Sequence, residues 1–241
     1  MDVLVFYVIG GATFLFSLAV RQGLKKTYNR YSQVPNHQRV PGAHVARGIL
    51  DANGLQRIPV EATQGKLTDH YDPRTKIIRL SIQNYQSPSV AAMAISAHES
   101  GHALQDADGY GPMKLKTALA PMAHTASRFG IPLAIFGSFF GMPLLVQIGM
   151  LAYVGALLLF FLTLPVEFNA SKRALAELKR LGFTTSEDEA AAKSTLRAAA
   201  MTYVAGVASA AGYIVYLAIF GGRALLGRPK PPLPPPTLPP A

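Results

Sequence analysis

The sequence predicts a mainly helical α+β membrane protein, with a small β-sheet next to a helix that carries two histidines. Three observations lead to this fold class. Two long stretches without charge, residues 3–20 and 131–166, are apolar enough to lie in a lipid bilayer. Three short segments between residues 58 and 81 have the character of strands. Residues 91–105, "AAMAISAHESGHALQ", are rich in alanine and predict a helix.

The composition agrees with a membrane protein and limits the kinds of metal site. Half of the 241 residues are hydrophobic, and the mean hydropathy of +0.23 is high for a soluble protein. The net charge is +10, and the basic residues cluster beside the apolar stretches, which favours an anionic membrane surface over nucleic acid as a partner. Cysteine is absent, so any metal site must use histidines and carboxylates.

Residues 1–20 are expected to form an N-terminal transmembrane anchor, since the uncharged run 3–20 is long enough to cross a bilayer. A cleaved signal peptide would need a positively charged start, and only Met1 and Asp2 precede the run. Positive charge after the run predicts that this side is cytoplasmic and that the N-terminus lies outside. The basic segment that follows, residues 21–47, is expected to be irregular.

Residues 21–130 are expected to form a small domain that combines helices with a sheet. Residues 43–55 have one apolar helix face and a stop signal at Asn53-Gly54. The segments "IPVEAT", "KLTDHYD" and "TKIIRLS" are expected to be strands, with a turn at Asp72-Pro73-Arg74 between the last two. The strand "KIIRLS" is interpreted as an edge strand on which an extended substrate could lie.

The histidine helix is expected to follow this sheet directly. Ser87 is predicted to be its N-cap and Pro88 its first residue, because both residue types are favoured at these positions. The helix is expected to end near Asp106, where "DADGYGP" interrupts it.

Residues 131–166 form a second uncharged run, which is too long for one crossing of a bilayer about 30 Å thick. Gly141-Met142-Pro143 lies inside the run and is expected to break the helix. The run therefore predicts a helical hairpin that either crosses the membrane twice or re-enters on the same side.

The remainder of the chain alternates between charged helices and apolar segments. Residues 167–200 are expected to form a helix after the hairpin and a return helix that starts near Ser186, where acids occupy the first turn. Residues 201–222 are expected to be another transmembrane helix, with pairs of small residues suited to close packing. Residues 223–241 are rich in proline and predict an extended, disordered tail.

The spacing of His98 and His102 is typical of a zinc site. Residues four apart on a helix share one face, so both imidazoles can point at one ion. A catalytic zinc takes three protein ligands and keeps one position for water. Glu99 lies beside this face, where it can take a proton from that water and pass it to the leaving amine. The alternative is a helix whose two polar residues are satisfied in a core or at a lipid interface.

The third ligand must come from elsewhere in the chain. No G-x-x-H follows His102, which excludes the metzincin arrangement. Glu167 follows the apolar hairpin directly and is expected to begin a helix, although a lone acid at a helix start is favoured without any metal. The other downstream acids lie in contexts typical of solvated helix faces and are poorer candidates; they are Glu177, Glu187, Asp188 and Glu189.

Three segments in this order, "HYDPRTKIIRLS", "SAHESGHALQ" and "LPVEFNASKRAL", resemble the bacterial YugP-type membrane zinc metallopeptidases over roughly residues 43–220. That family resembles the gluzincin class, so the resemblance implies a minigluzincin-like catalytic core. It also implies that His98, His102 and Glu167 bind Zn²⁺ and that Glu99 is the catalytic base. In the related HtpX-type pattern an acid follows the third ligand by four residues. Ser171 holds that position here, so this place supplies no carboxylate to orient a histidine.

His70, Tyr71 and Asp72 admit two interpretations. His70 or Tyr71 could help to hold the oxyanion, and Asp72 could orient a ligand from behind. Alternatively, Asp72 forms the turn with Pro73, and Tyr71 packs in the core.

The predicted function is that of a membrane-embedded zinc metalloendopeptidase acting on proteins or peptides near the bilayer. Its expected location is the inner membrane of a bacterium, with a catalytic domain facing the cytoplasm. The expected cofactor is Zn²⁺, and the expected partners are the lipid bilayer and a protein or peptide substrate, without nucleic acid. The alternative is a catalytically idle membrane scaffold or accessory subunit that retains a metal site. An intact Glu99 disfavours it, because a structural zinc site needs no base.

Overall fold

The computed structural model describes residues 2–216, so the predicted tail and the end of the last predicted membrane helix lie outside the described residues. Within this range, helices predominate and the strands form one small sheet. The elements in chain order are α1 (Asp2–Tyr31), α2 (Gly42–Ala52), β1 (Val60–Thr63), β2 (His70–Asp72), β3 (Ile77–Ser81), α3 (Ile82–Gln86), α4 (Val90–Ala107), α5 (Gly111–Phe139), α6 (Pro143–Arg180) and α7 (Ser186–Tyr216).

Helix α1 continues without a break from the apolar segment into the basic one and ends at Tyr31. The expectation of irregular structure is therefore wrong for residues 21–31. Lysine, arginine and leucine are good helix formers, and the prolines of this region come only later in the chain. Near the helix end, Tyr28 is buried and its hydroxyl donates to Asn84 Oδ1 at 3.0 Å, which ties α1 to the domain.

The sheet has the strand order β1-β3-β2, with β1 parallel and β2 antiparallel to β3. Strand β3, which contains the "KIIRLS" segment, is therefore central, and its predicted edge position is wrong. Ile78 and Leu80 of β3 are fully buried against the core, and this burial suits a strand with neighbours on both sides. The short strand β2 takes the edge position. The predicted turn after it is present, because Asp72 Oδ1 accepts from the Arg74 N–H at 2.9 Å.

Helix α4 begins at Val90, and its N-cap is Ser89, whose hydroxyl accepts from the Ala92 N–H at 3.2 Å. The prediction that Ser87 caps this helix is wrong. Backbone contacts explain the difference, because Asn36 N–H donates to the Pro88 carbonyl and Val90 N–H donates to the Val34 carbonyl, each at 2.8 Å. These contacts hold the chain extended until Ser89.

Helix α4 lies at the centre of the molecule and is buried along most of its length. Met93 and Ala97 pack in one apolar cluster with Leu178 of α6, while Ala103 belongs to a second cluster beneath the sheet. At Gly101 the helix meets α6 directly. A Cβ atom added there would lie 2.5 Å from the Ala170 carbonyl oxygen, so glycine permits this close approach.

Helices α5 and α6 form a hairpin that turns at Gly141, whose φ of +64° suits glycine. The turn coincides with the Gly141-Met142-Pro143 break identified in the sequence. The helix expected to begin at Glu167 does not begin there, because α6 runs from Pro143 through Pro165 to Arg180. A proline removes one helical hydrogen bond, and the packing of α6 against α4, α5 and α7 allows the helix to continue through Pro165.

Helices α1, α5, α6 and α7 carry most of the exposed apolar side chains of the described residues. Among these helices, α6 alone is long and apolar enough, within the part described, to cross a membrane. Examples of exposed side chains are Phe14 and Leu15 on α1, Phe129, Ile135 and Phe139 on α5, Leu144 and Leu151 on α6, and Val215 on α7. An apolar surface of this extent marks contact with a membrane or a partner.

Candidate metal centre and active site

Three potential metal ligands meet where α4 crosses α6. His98 and His102 come from α4 and Glu167 comes from α6, and their ligand atoms all lie within 4.8 Å of one another. Glu167 Oε2 is 3.2 Å from His98 Nε2 and 3.4 Å from His102 Nε2. Two imidazole nitrogens and one carboxylate oxygen are a donor set that zinc binds in catalytic sites. The residues of this cluster therefore fit a zinc ion.

The partners of the two imidazoles leave both Nε2 atoms directed at the cluster. His102 Nδ1 lies 2.9 Å from Gln105 Oε1, and the Gln105 amide donates to the Val166 carbonyl at 2.8 Å. Since the Gln105 oxygen must then accept, we assign the His102 proton to Nδ1, which frees Nε2 for a metal. His98 Nδ1 lies 3.2 Å from the Ser171 hydroxyl, which can accept a hydrogen bond from an Nδ1–H in the same way.

Gln105 and Ser171 are therefore the residues that orient the two histidines, for which the sequence indicated no partner. Position 171 supplies no carboxylate, but the Ser171 hydroxyl faces His98 from that place. Gln105 was missed, although its position three residues after His102 puts it on the same helix face and was a usable signal.

Glu99 lies beside the cluster and is 8 % exposed. Its Oε2 atom accepts a hydrogen bond from the backbone N–H of Tyr71 at 2.9 Å. Burial raises the pKa of Glu99 to about 7; the positive charge available on His98 opposes this shift, and the negative Glu167 adds to it. A carboxyl group with this pKa can both accept and return a proton near neutral pH.

His70, Tyr71 and Asp72 occupy three different environments at one edge of the site. The Tyr71 hydroxyl donates to Asp106 at 2.6 Å, and burial together with this bond raises the pKa of Tyr71. Asp72 accepts from Thr75 at 2.7 Å within its own turn. His70 is exposed, and its Nδ1 lies 2.8 Å from the Thr68 carbonyl. These contacts support a positioning role for Tyr71 and a turn-forming role for Asp72.

A cavity of about 440 Å³ opens over the cluster, and residues of β2, α5 and α7 line it together with the cluster. Lys116 of α5 and Tyr203 of α7 line it together with Glu99, and Lys116 Nζ is 2.8 Å from Glu167 Oε1. Sequence reasoning missed both residues, because nothing in the local pattern around them indicates a site. The other downstream acids lie elsewhere, and Glu177, for example, accepts from Asn53 at 2.8 Å.

Comparison with known proteins gives the following matches. The family model described as "Putative neutral zinc metallopeptidase" matches residues 6–221. The chain is also similar to the protein named "Putative membrane protease YugP" of Bacillus subtilis (strain 168). The two are 40% identical over 182 residues, which cover 76% of this chain and 81% of that protein. No solved structure matches the chain.

Proposed function

The chain belongs to the family of neutral zinc metallopeptidases, and on that premise we propose that it cleaves peptide bonds of membrane-associated proteins with Glu99 as general base. Membership confirms the family predicted from the three sequence motifs, and it makes the protein a zinc protease. The relative from Bacillus subtilis is named a membrane protease, which supports the choice of substrates near a bilayer.

One observation carries the proposal, namely that Glu99 lies beside a cluster with zinc-binding composition inside a single cavity. His98, His102 and Glu167 would hold a zinc ion, which would supply a Lewis acid for the oxygen of the scissile carbonyl when bound. The alternative considered from the sequence, a catalytically idle scaffold, does not require the buried carboxylate of Glu99 beside the cluster.

Glu99 performs the proton transfers. Its carboxylate takes a proton from a water molecule while the water oxygen bonds to the carbonyl carbon and the carbonyl electron pair moves to the oxygen. Glu99 then gives the proton to the amide nitrogen as the carbon–nitrogen bond breaks. The Tyr71 N–H donates to Oε2 of Glu99 and so holds the carboxylate in place beside the cluster. A pKa of about 7 suits a group that must take and release one proton.

Other residues of the chain orient this machinery. Gln105 and Ser171 hold the two imidazoles from behind, and such partners keep metal ligands in their binding orientation. An extended substrate would meet the outer edge of β2, since β3 lies inside the sheet and β2 borders the cavity.

The apolar surface of α1, α5, α6 and α7 supports a position in a lipid bilayer. The basic residues of α1 follow its apolar part, which supports a cytoplasmic position of the domain by the positive-inside rule. We therefore place the protein in the inner membrane of a bacterium, with the cavity opening near the cytoplasmic surface. Its partners would be lipid and a protein or peptide substrate.

Substitution of Glu99 by Gln tests the proposal. The variant keeps all three metal ligands but loses the base, so we expect one zinc per chain and a loss of activity of about 10²–10⁴-fold. Zinc content is measured by mass spectrometry, and activity by cleavage of labelled casein with and without a chelator. Glu187→Gln, an equal charge change at an exposed position of α7, is the control and should be fully active. Full activity of Glu99→Gln would overturn the assignment.

A further inference from the structure

The two carboxylate oxygens of Glu167 have different partners. Oε2 faces the histidines, at 3.2 Å from His98 Nε2 and 3.4 Å from His102 Nε2. Oε1 instead accepts from the ammonium group of Lys116 at 2.8 Å. The ammonium group therefore lies next to the ligand cluster without occupying the oxygen that faces it.

Lys116 also belongs to the wall of the cavity. Met113, Lys116, Thr117 and Ala120 of α5 all line it, and their spacing of three and four residues puts them on one helix face. The side chain of Lys116 is 27% exposed, so its end is accessible from the space above the cluster. A peptide bond placed over the cluster and Glu99 would lie between β2 and this wall.

Lys116 has hydrogen-bond donors that its contact with Glu167 does not use. An ammonium group has three N–H donors, and the contact with Glu167 uses one of them. The Tyr71 hydroxyl donates to Asp106, and its backbone N–H donates to Glu99. Tyr203 also lines the cavity, and its hydroxyl interacts with the Glu167 carboxylate. Lys116 combines spare donors with positive charge beside the cluster.

We propose that Lys116 is a catalytic residue that donates a hydrogen bond to the oxygen of the scissile carbonyl and stabilises the negative charge that develops there. This inference rests on the proposed function. When water adds to the carbonyl carbon, the electron pair of the double bond moves to the oxygen, and the ammonium group meets that charge without transferring a proton. Preorganised donors of this kind act mainly on the transition state rather than on the bound substrate.

A second role for Lys116 is distinguishable by experiment. If the residue served only to hold Glu167, its removal would weaken zinc binding, as loss of a ligand's hydrogen-bond partner does by about 10–100-fold. If it stabilises the oxyanion, its removal leaves zinc binding intact and lowers kcat. Lys116→Met keeps the length of the side chain and removes the donors and the charge. Lys114→Met makes the same change on an exposed position of the same helix and is the matched control.

The full-length protein and both variants are purified in detergent, and the zinc affinity of each is measured by competition with a chelator. A peptide taken from a mapped casein cleavage site then gives kcat and KM. For Lys116→Met we expect an unchanged zinc affinity, a KM within about threefold and a kcat lowered about 10²–10³-fold, as for loss of one oxyanion donor. Lys114→Met should match the wild type in all three.

Binding without turnover gives a further readout. The ligand is a phosphinic analogue of the peptide, whose tetrahedral group carries an anionic oxygen. In the Glu99→Gln background, Lys116→Met should weaken binding of this analogue at least tenfold. Binding of the peptide itself should be unchanged. A normal kcat, or a loss of zinc, in Lys116→Met overturns the inference. A wild-type protein without zinc or activity would instead overturn the proposed function. Should Lys116→Met not fold, as judged by circular dichroism, Lys116→Leu replaces it with the same expectations, because leucine likewise has no donor and no charge.

Discussion

Glu167 and Glu177 lie on the same helix but in different surroundings. Glu167 is 1 % exposed and faces both histidines, whereas Glu177 accepts from Asn53 and pairs with Arg180 at the surface. We therefore expect Glu167→Ala to lose zinc at a free zinc concentration that saturates the wild type, and Glu177→Ala to keep it. The measurement is bound zinc at buffered free zinc. A stoichiometric zinc content and near-normal activity in Glu167→Ala would mean that the third ligand lies elsewhere.

The residues of the site differ in how far the sequence indicates them. His98, Glu99 and His102 follow from helix geometry alone, and Gln105 lies on the same helix face and was predictable by the same rule. Glu167 was reached from its position after the apolar hairpin and from family resemblance. Lys116 and Tyr203 come from α5 and α7, and their approach to the cluster depends on helix packing that no local pattern expresses.

At the scale of elements, the contact between α4 and α6 sets the geometry of the cluster. Gly101 touches α6 at Ala170, and an added Cβ atom would lie 2.5 Å from the Ala170 carbonyl oxygen. We expect Gly101→Ala to push the helices apart and so separate Glu167 from the histidines. Because a displacement of about 1 Å can cost 10²-fold in rate, activity should fall by about that factor, with weaker zinc binding.

Gly155→Ala is the control for this substitution. Gly155 lies inside the partner helix α6, and a Cβ atom there would meet nothing within 4 Å. The change should leave zinc binding and activity unaltered, and it should raise helix stability by up to about 1 kcal/mol, since alanine is the better helix former. Equal zinc affinity in Gly101→Ala and the wild type would show that the close approach is not required.

Element types were more predictable from the sequence than element boundaries and neighbours. The small sheet, the histidine helix and the hairpin turn follow from local residue patterns. The start of α4 at Val90 depends on backbone contacts from residues 34–36, which are distant in sequence. The central place of β3 depends likewise on β1 and β2 pairing with it from both sides. Such long-range contacts decide which of several local possibilities is realised.

At the scale of the whole molecule, we infer that two arginines lie near a common level on the helices. Arg21 of α1 and Tyr153 of α6 border one cavity, and a Cβ atom on Gly130 of α5 would lie 3.1 Å from Tyr153 N. Arg128 of α5 is exposed and lies two residues before Gly130, so it is close to the level of Arg21. Exposed arginines at one height are typical of a headgroup boundary, because burying their charge in lipid is costly.

The position of Arg128 leads us to predict one of the two forms of the hairpin that the sequence left open, the re-entrant one. Residues 129–139 of α5 lie between Arg128 and the turn, and at 1.5 Å per residue they extend only about 17 Å. The hydrocarbon core is about 30 Å thick, so this arm is too short to cross it. We therefore expect α5 and α6 to enter the membrane from the cytoplasmic side and return to it. The two arms then keep His98, His102 and Glu167 on one side.

The absence of cysteine from the sequence allows a direct test by single-cysteine labelling. Phe140→Cys places a thiol at the exposed tip of the hairpin, and Lys66→Cys places one on the exposed surface of the domain. A membrane-impermeant maleimide should label Lys66→Cys only from the cytoplasmic side. It should label Phe140→Cys from neither side until detergent denaturation exposes the thiol, because the tip lies within the bilayer. Labelling of Phe140→Cys from outside would show that the hairpin crosses the membrane. Labelling of Lys66→Cys from outside would reverse the orientation of the catalytic domain.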